Sequence, residues 1–242
     1  MVLALEITKL NMSFGALKVI DDLSVRLEAG EALGIVGPNG AGKTTLFNLI
    51  TGSLRPDSGV IQIGEDGIVG VSQHLRVRNG LGRTYQIPRP FGGMTVFENV
   101  LVAAAYGNEE KERDAYTRCV AVLEDTELID KANTLAGALT ILERKRLELA
   151  RALGTAPSIL LLDEIAGGLA DPEVEVVVDL IRTIHRSGVS IVWIEHLLHA
   201  LVAVVDRVQA IHFGKHLIEG PPHQIIDSPE IREVYLGIEE SF

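Results

Sequence analysis

Cysteine is nearly missing from this 242-residue chain: Cys119 stands alone, so no intramolecular disulfide staples the fold and a reducing cytosol is the expected compartment. Missing too is any apolar run of the roughly 18–20 residues that a bilayer-crossing helix needs. The strongest runs, Ile159 to Leu162 and Val189 to Ile194, have strand length. The first dozen residues alternate apolar with polar where a secretory leader would set a basic end before an apolar block, so no leader is expected. Positive charge is scarce: 22 Lys and Arg face 33 Asp and Glu, a net charge of −11. Such a surface repels a polyanion and speaks against general nucleic-acid binding, while leaving room for one nucleotide in a local pocket. Aromatics make up only 5%, but 47% of the chain is hydrophobic and 23% charged, which is globular composition.

Strand-like and helix-like stretches alternate along most of the sequence, the pattern of an α/β fold with a largely parallel sheet. Leu33-Gly34-Ile35-Val36 reads as a short strand entering a glycine-rich turn, and Lys43 to Thr51 as a helix closed by Gly52. Arg55 to Gly59 forms a turn before the strand Val60-Ile61-Gln62-Ile63. The rest of the first 70 residues is expected to be antiparallel strands, with Val25, Leu27, Leu33 and Ile35 in alternation. From about Thr95 to Leu153 the period is helical, opened by the capping box Thr95-Val96-Phe97-Glu98, and Cys119 reads there as a small packing residue. The α/β pattern resumes at Ile159 to Asp163. It continues with a helix that has Asp171 as N-cap, Pro172 at its first position and Val174, Val177, Val178, Ile181 and Ile184 as its buried face. The strand Val189 to Ile194 ends at Glu195-His196, and the last forty residues are expected to alternate short strands with turns.

Gly37-Pro38-Asn39-Gly40-Ala41-Gly42-Lys43-Thr44 fits the phosphate-binding P-loop in every fixed position, between a strand and a helix as the mechanism demands. Glycines let backbone N–H groups turn inward around a β-phosphate, and the helix N-terminus adds partial positive charge. Lys43 is placed to reach the β- and γ-phosphates, and the Thr44 hydroxyl to ligate Mg²⁺. Far downstream, the apolar strand Ile159 to Leu162 ends in Asp163-Glu164. Successive strand residues point to opposite faces, so the two acids have different jobs. In a P-loop ATPase the first supports the Mg²⁺ shell and the second polarises the attacking water.

With these motifs in order, the chain resembles the nucleotide-binding subunits of ABC transporters over essentially its whole length. Phe14, before Gly15, matches the aromatic that stacks on adenine; on its own position it also admits reading as an ordinary strand aromatic, less so given the Gly that follows. Gln86, in Gly82-Arg83-Thr84-Tyr85-Gln86, matches the Q-loop glutamine that touches Mg²⁺ and the attacking water and senses the membrane subunits. His196 matches the switch histidine at the γ-phosphate; with His199 and Glu195 it also admits a metal-cluster reading. The finer likeness is to the ATPases of branched-chain amino-acid importers, through Gly82 to Gln86, Met94-Thr-Val-Phe-Glu-Asn-Val100, Arg146-Leu-Glu-Leu-Ala-Arg151 and Tyr235-Leu-Gly237. ATPases of lipopolysaccharide export look similar.

The resemblance implies a P-loop ABC-type ATPase: an N-terminal antiparallel β subdomain and a RecA-like core in residues 1–91 and 157–242, with a helical insert at 92–156. ATP and Mg²⁺ would bind at Phe14, Gly37, Pro38, Asn39, Gly40, Ala41, Gly42, Lys43, Thr44, Thr45, Gln86 and Asp163. Glu164 would act as general base, with His196 placing the γ-phosphate and Gln86 beside the water. The implied partners are membrane-spanning permease subunits at the cytoplasmic face of the inner membrane, a second ABC ATPase subunit and, indirectly, a solute-binding protein. Phe91 and Met94, beside Pro88 and Pro90, read either as lining a groove for a permease helix or as packing in the insert.

Two departures stand out. The signature, usually Leu-Ser-Gly-Gly-Gln, here reads Leu139-Thr140-Ile141-Leu142-Glu143: both glycines are lost, and Thr140 to Glu143 forms a capping box. In the D-loop, Ala170 replaces the family's Asp or Asn. The altered signature points to a different chain as dimer partner. The alternative within the family is an ABC ATPase of an export or soluble remodelling complex, and a small-molecule P-loop kinase and a non-hydrolysing nucleotide sensor are the other classes that the P-loop allows.

Overall fold

The computed structural model describes residues 2–107 and 112–236. Two long strands, β1 (Leu3–Phe14) and β2 (Leu17–Glu28), form an antiparallel hairpin that bends at Gly15, where φ is +60°. Leu23, Val25 and Leu27 of β2 are buried in alternation, and in β1 Leu5, Ile7 and Leu10 are buried, the last after a register shift. The next strand, β3 (Ala32–Val36), is buried at every position and does not join this hairpin. Leu33 and Ile35 alternate as the sequence suggests, but in a parallel sheet. The antiparallel expectation fails because both faces of β3 are covered, and period 2 says nothing about which strand lies alongside. Helix α1 (Lys43–Thr51) starts and stops as expected, with Gly52 left-handed at φ +80° and its N–H on the Leu49 carbonyl. Strands β4 (Ser58–Ile63) and β5 (Asp66–Gly67) complete the first sheet, in the order β2-β1-β4-β5.

A short helix, α2 (Gln73–Arg78), and strand β6 (Leu81–Arg83) lead into a helical stretch. Its helices are α3 (Val96–Gly107), α4 (Glu112–Asp125) and α5 (Ile141–Gly154). Thr95 and Glu98 exchange bonds at the start of α3: the Glu98 N–H donates to Thr95 Oγ1 at 3.1 Å and the Thr95 N–H to the Glu98 carboxylate at 2.7 Å. Val96, Val100, Ala104, Cys119, Leu123 and Leu147 form an apolar cluster of their own beneath these helices. Burial pushes the Cys119 thiol up to about 11.

The remaining elements are β7 (Ile159–Asp163), α6 (Asp171–Arg186), β8 (Ser190–Ile194), α7 (Leu198–Val202), β9 (Arg207–His212), β10 (Lys215–Gly220), α8 (Pro222–Ile226) and α9 (Pro229–Leu236). The sequence expectation of strands and turns at the end is corrected here: two short helices follow β10, each opened by a proline, a residue suited to the first turn of a helix. Tyr235 and Leu236 belong to α9, while Gly237 lies outside the described residues. On α6 the N-cap is Ala170, with Asp171 the first helical residue. Ala170 lacks a side-chain acceptor, so the only side-chain bond of that cap runs from its own N–H to Glu173 at 3.0 Å.

The second sheet has the order β10-β9-β3-β8-β7-β6, with β10 antiparallel to β9 and the other pairings parallel. Its parallel strands are apolar on both faces because two cores meet on it. Leu33, Ile35, Ile159, Leu161, Val192 and Ile194 join the cluster under α1 and the first sheet. Ala32, Leu160, Leu162, Ile191 and Trp193 join the cluster with α6 and α7. The C-terminal ends of β3, β6, β7 and β8 lie along one edge, where ligands bind in open α/β sheets.

Candidate active site

The loop after β3 is shaped by backbone that only glycine adopts at no steric cost. Gly42 sits at φ +101°, and a Cβ there would stand 2.8 Å from the Val19 carbonyl. At Gly37 a Cβ would meet the Ile211 carbonyl at 2.2 Å. The β9–β10 hairpin also holds the loop from outside, with the Gly214 N–H donating to the Ala41 carbonyl at 3.0 Å. Lys43 folds back over the loop: Nζ donates to the Gly37 carbonyl at 2.5 Å and to Pro38 at 3.0 Å. Burial lowers its pKa, and the charges of Glu164 and Asp163 oppose that shift. Asn39, Gly40 and Thr44 are exposed, and Pro38 and Thr45 half-buried. The helix N-terminus, the loop N–H groups and the Lys43 ammonium are the groups that a glycine loop of this kind can offer an anion.

Asp163 is the last residue of β7, and its neighbour does not continue the strand. Glu164 turns into the left-handed region at φ +46°, held by its N–H on the Ile194 carbonyl at 2.8 Å. That turn, and not strand alternation alone, sends the two carboxylates to different places. Asp163 pairs with Arg83 at 2.9 Å, and burial raises its pKa more than the guanidinium lowers it. Glu164 is held at both oxygens: Gln86 Nε2 donates to Oε2 at 2.5 Å, and His196 Nε2 lies 2.9 Å from Oε1. Glu164, Gln86 and His196, singled out separately in sequence, thus form one hydrogen-bonded group at the ends of β7, β6 and β8. Phe14 ends β1 and is 48% exposed. Its hairpin reaches the P-loop through Val19 and Ile20, which pack on Gly42.

The supporting roles of three residues escaped the sequence reading. Lys145, buried on α5, donates to the Gln86 carbonyl at 2.8 Å and the Glu164 carbonyl at 3.3 Å. Burial lowers its pKa against the pull of Glu195, Glu164 and Glu148. The available signal was its spacing: Lys145 shares a helical face with Glu148, Leu149 and Ala152, all buried. Arg83 is a charge inside a three-residue strand, the second such signal. Glu195, buried, spends its carboxylate on the N–H groups of Ala166, His196 and Leu197 at 3.1, 2.9 and 3.4 Å. It is not free to join His196 and His199 as a metal ligand, and among the described residues no three His, Cys, Asp or Glu side chains form a metal cage.

The donor set expected for Mg²⁺ has the chemistry that this ion prefers. Thr44 hydroxyl, Asp163 carboxylate and the Gln86 amide supply only hard oxygen atoms, few enough that phosphates and water must complete the shell, as this ion prefers. Elsewhere, Thr140 caps α5 and forms its box with Glu143: the Glu143 N–H donates to Thr140 Oγ1 at 3.3 Å, and the Thr140 N–H to Glu143 Oε2 at 2.8 Å. That backbone N–H, with Lys131 at 3.1 Å, holds the Glu143 carboxyl below its usual range. Phe91, 46% exposed, lines a groove with Thr51, Arg83, Tyr85, Glu148 and Arg151. Arg151 lies over the Phe91 ring at 5.3 Å.

A family model described as ABC transporter matches residues 20–167. The chain is 35% identical to the high-affinity branched-chain amino acid transport ATP-binding protein BraF of Pseudomonas aeruginosa, over 96% of this chain and 97% of that one. It is also 35% identical to the lipopolysaccharide export system ATP-binding protein LptB of Acidithiobacillus ferridurans, over 90% of each. Among solved structures, the ADP conformation of MJ1267, an ATP-binding cassette of an ABC transporter, superposes with a TM-score of 0.91 at 27% identity, covering 98% of this chain and all of that one.

Proposed function

This chain belongs to the ABC transporter family, and from that premise we propose that it is the ATP-hydrolysing subunit of a transporter that imports branched-chain or related amino acids. The Glu164 carboxylate, held between Gln86 and His196 at the sheet edge beside the P-loop, carries the reading. In this reading Lys43 leaves the Gly37 and Pro38 carbonyls for the β- and γ-phosphates, and the exposed Thr44 and buried Asp163 would hold Mg²⁺, which when bound would supply positive charge against the phosphates. Glu164 takes the proton of the attacking water, which requires one of its two partners to yield an oxygen. Gln86 keeps the water in line, and His196 passes to the γ-phosphate. Phe14 stacks on the adenine.

Amino-acid transport is supported by near-complete coverage of a branched-chain amino acid transport ATP-binding protein at 35% identity; the LptB match keeps lipopolysaccharide export as the rival. Permease subunits would dock at the Phe91 and Arg151 groove from the cytoplasmic side. The second ATPase subunit is a different chain, because the signature end of α5 is already occupied by its own anion. With Glu143 seated on the Thr140 N–H, that helix end repels a partner's phosphate where it would usually attract one.

Purified alone with ATP and Mg²⁺, the chain should bind nucleotide and release phosphate slowly, and a partner subunit with intact signature glycines should raise the rate. Phosphate release from the isolated chain at the full rate, growing with the square of its concentration, overturns the heteromeric reading. Transfer of phosphate to a small acceptor in place of water overturns the ATPase reading. Co-purified permease that carries lipopolysaccharide and no amino acid overturns the importer.

A further inference from the structure

Arg83 is a lone charge on β6, and only 7% of its side chain is accessible, against 5% for its partner Asp163. Its guanidinium is fixed from several sides. Nη2 donates to Asp163 Oδ2 at 2.9 Å. Nη1 donates to Asn48 Oδ1 at 2.8 Å and Thr51 Oγ1 at 3.3 Å, both on α1, the helix that begins with Lys43 and Thr44. The rings of Phe47 and Tyr85 lie 5.6 and 4.8 Å from its central carbon. Nε is buried with no hydrogen-bond partner among the described residues, so the hydrogen bonds that orient the group come from its two terminal nitrogens. A single side chain thereby ties the carboxylate at the end of β7 to the helix that carries the P-loop hydroxyl. It occupies one carboxylate oxygen and leaves the other.

We propose that Arg83 is a positioning residue for the cation site: by holding Asp163 Oδ2 and gripping Asn48 and Thr51, it fixes Oδ1 as the oxygen offered to Mg²⁺, at a set distance from Thr44. The proposal rests on the reading of Asp163 as the Mg²⁺ carboxylate. Two opposite effects compete. A fixed cation beside the carboxylate opposes a second cation, and its removal would then tighten metal binding. Orientation of a ligand by an outer partner works the other way, and loss of such partners typically costs about 10–100-fold in metal affinity. A guanidinium shared between two elements by separate nitrogens is built for orientation, so its removal should weaken binding.

The test uses Mn²⁺ as the probe, titrated into the full chain with ADP and read by electron paramagnetic resonance, with ADP affinity in EDTA measured separately. Arg83→Met should weaken Mn²⁺ binding about tenfold or more while ADP affinity in EDTA stays within about twofold. Arg83→Lys should recover part of the loss, because an ammonium reaches Asp163 but cannot bridge to α1 in the same geometry. Asn48→Ala, which keeps the ion pair, should weaken Mn²⁺ binding measurably but less than Arg83→Met. Unchanged or tighter Mn²⁺ binding in Arg83→Met overturns the proposal; if that variant does not fold, wild-type Mn²⁺ affinity in both Arg83→Lys and Asn48→Ala does so. Asp163→Asn separates the two levels. If it abolishes Mn²⁺ binding while the Arg83 and Asn48 variants do not weaken it, the positioning role alone fails. If Asp163→Asn binds Mn²⁺ as wild type, the reading of the cation site fails and the positioning role falls with it.

Discussion

Glu164 stands at φ +46°, a conformation that costs a non-glycine residue about 1–2 kcal/mol. The strain is held by the Ile194 carbonyl on its N–H and by Lys145 on its own carbonyl. Its position therefore depends on the backbone, while its chemistry depends on the carboxylate, and the two can be separated. Glu164→Gln keeps the side-chain size and one hydrogen-bonding oxygen but cannot take a proton. ATP binding should persist, with phosphate release lower by about 10²-fold or more. Unchanged turnover in a phosphate-release assay would remove Glu164 from the role of general base.

Helix ends decide more here than helix interiors. Helix α5 begins with a reciprocal box between Thr140 and Glu143, whereas α6 begins on Ala170, which offers no side-chain acceptor. Thr140→Ala should cost about 1 kcal/mol of stability, and Ala170→Ser should add about the same, since each change removes or supplies one cap acceptor. Urea midpoints at constant m-value check both. The pair also bears on function, because Thr140→Ala frees one N–H at the signature end of α5 and Ala170→Ser does not alter that end.

At the scale of the molecule, the proposed nucleotide site is assembled from strand ends, the P-loop and a hairpin that are distant in sequence. A ligand that binds only this assembled form stabilises the whole fold by mass action, about 2.7 kcal/mol at 100 times its dissociation constant. ATP should therefore raise the melting temperature of the wild type. Lys43→Ala should lose most of that rise while keeping the nucleotide-free melting temperature close to wild type, since among the described residues the hydrogen bonds of Lys43 Nζ go to P-loop carbonyls. An equal ATP-dependent shift in both proteins, followed by calorimetry, would place the phosphate elsewhere.

Local signals determined much of this protein. The P-loop, the ends of α1, the Thr95 and Thr140 boxes and the buried face of α6 were legible because each depends on residues a few positions apart, within reach of one turn or one hydrogen bond. The acid pair after β7 was legible as a motif for the same reason. The tertiary structure decided the rest. The neighbours of β3 could not be read from its alternation, nor the cap of α6 from an Asp beside a Pro, because several local solutions were equally compatible with the residues. Above all, no spacing announces that Lys145 reaches the Gln86 loop, that Glu195 is consumed by backbone N–H groups, or that Arg83 joins Asp163 to α1. Those partners lie 59, 29 and 80 residues apart at the extremes. They meet only because parallel strands bring their C-terminal ends to one edge, where burial makes each unpaired polar group costly enough to require a partner.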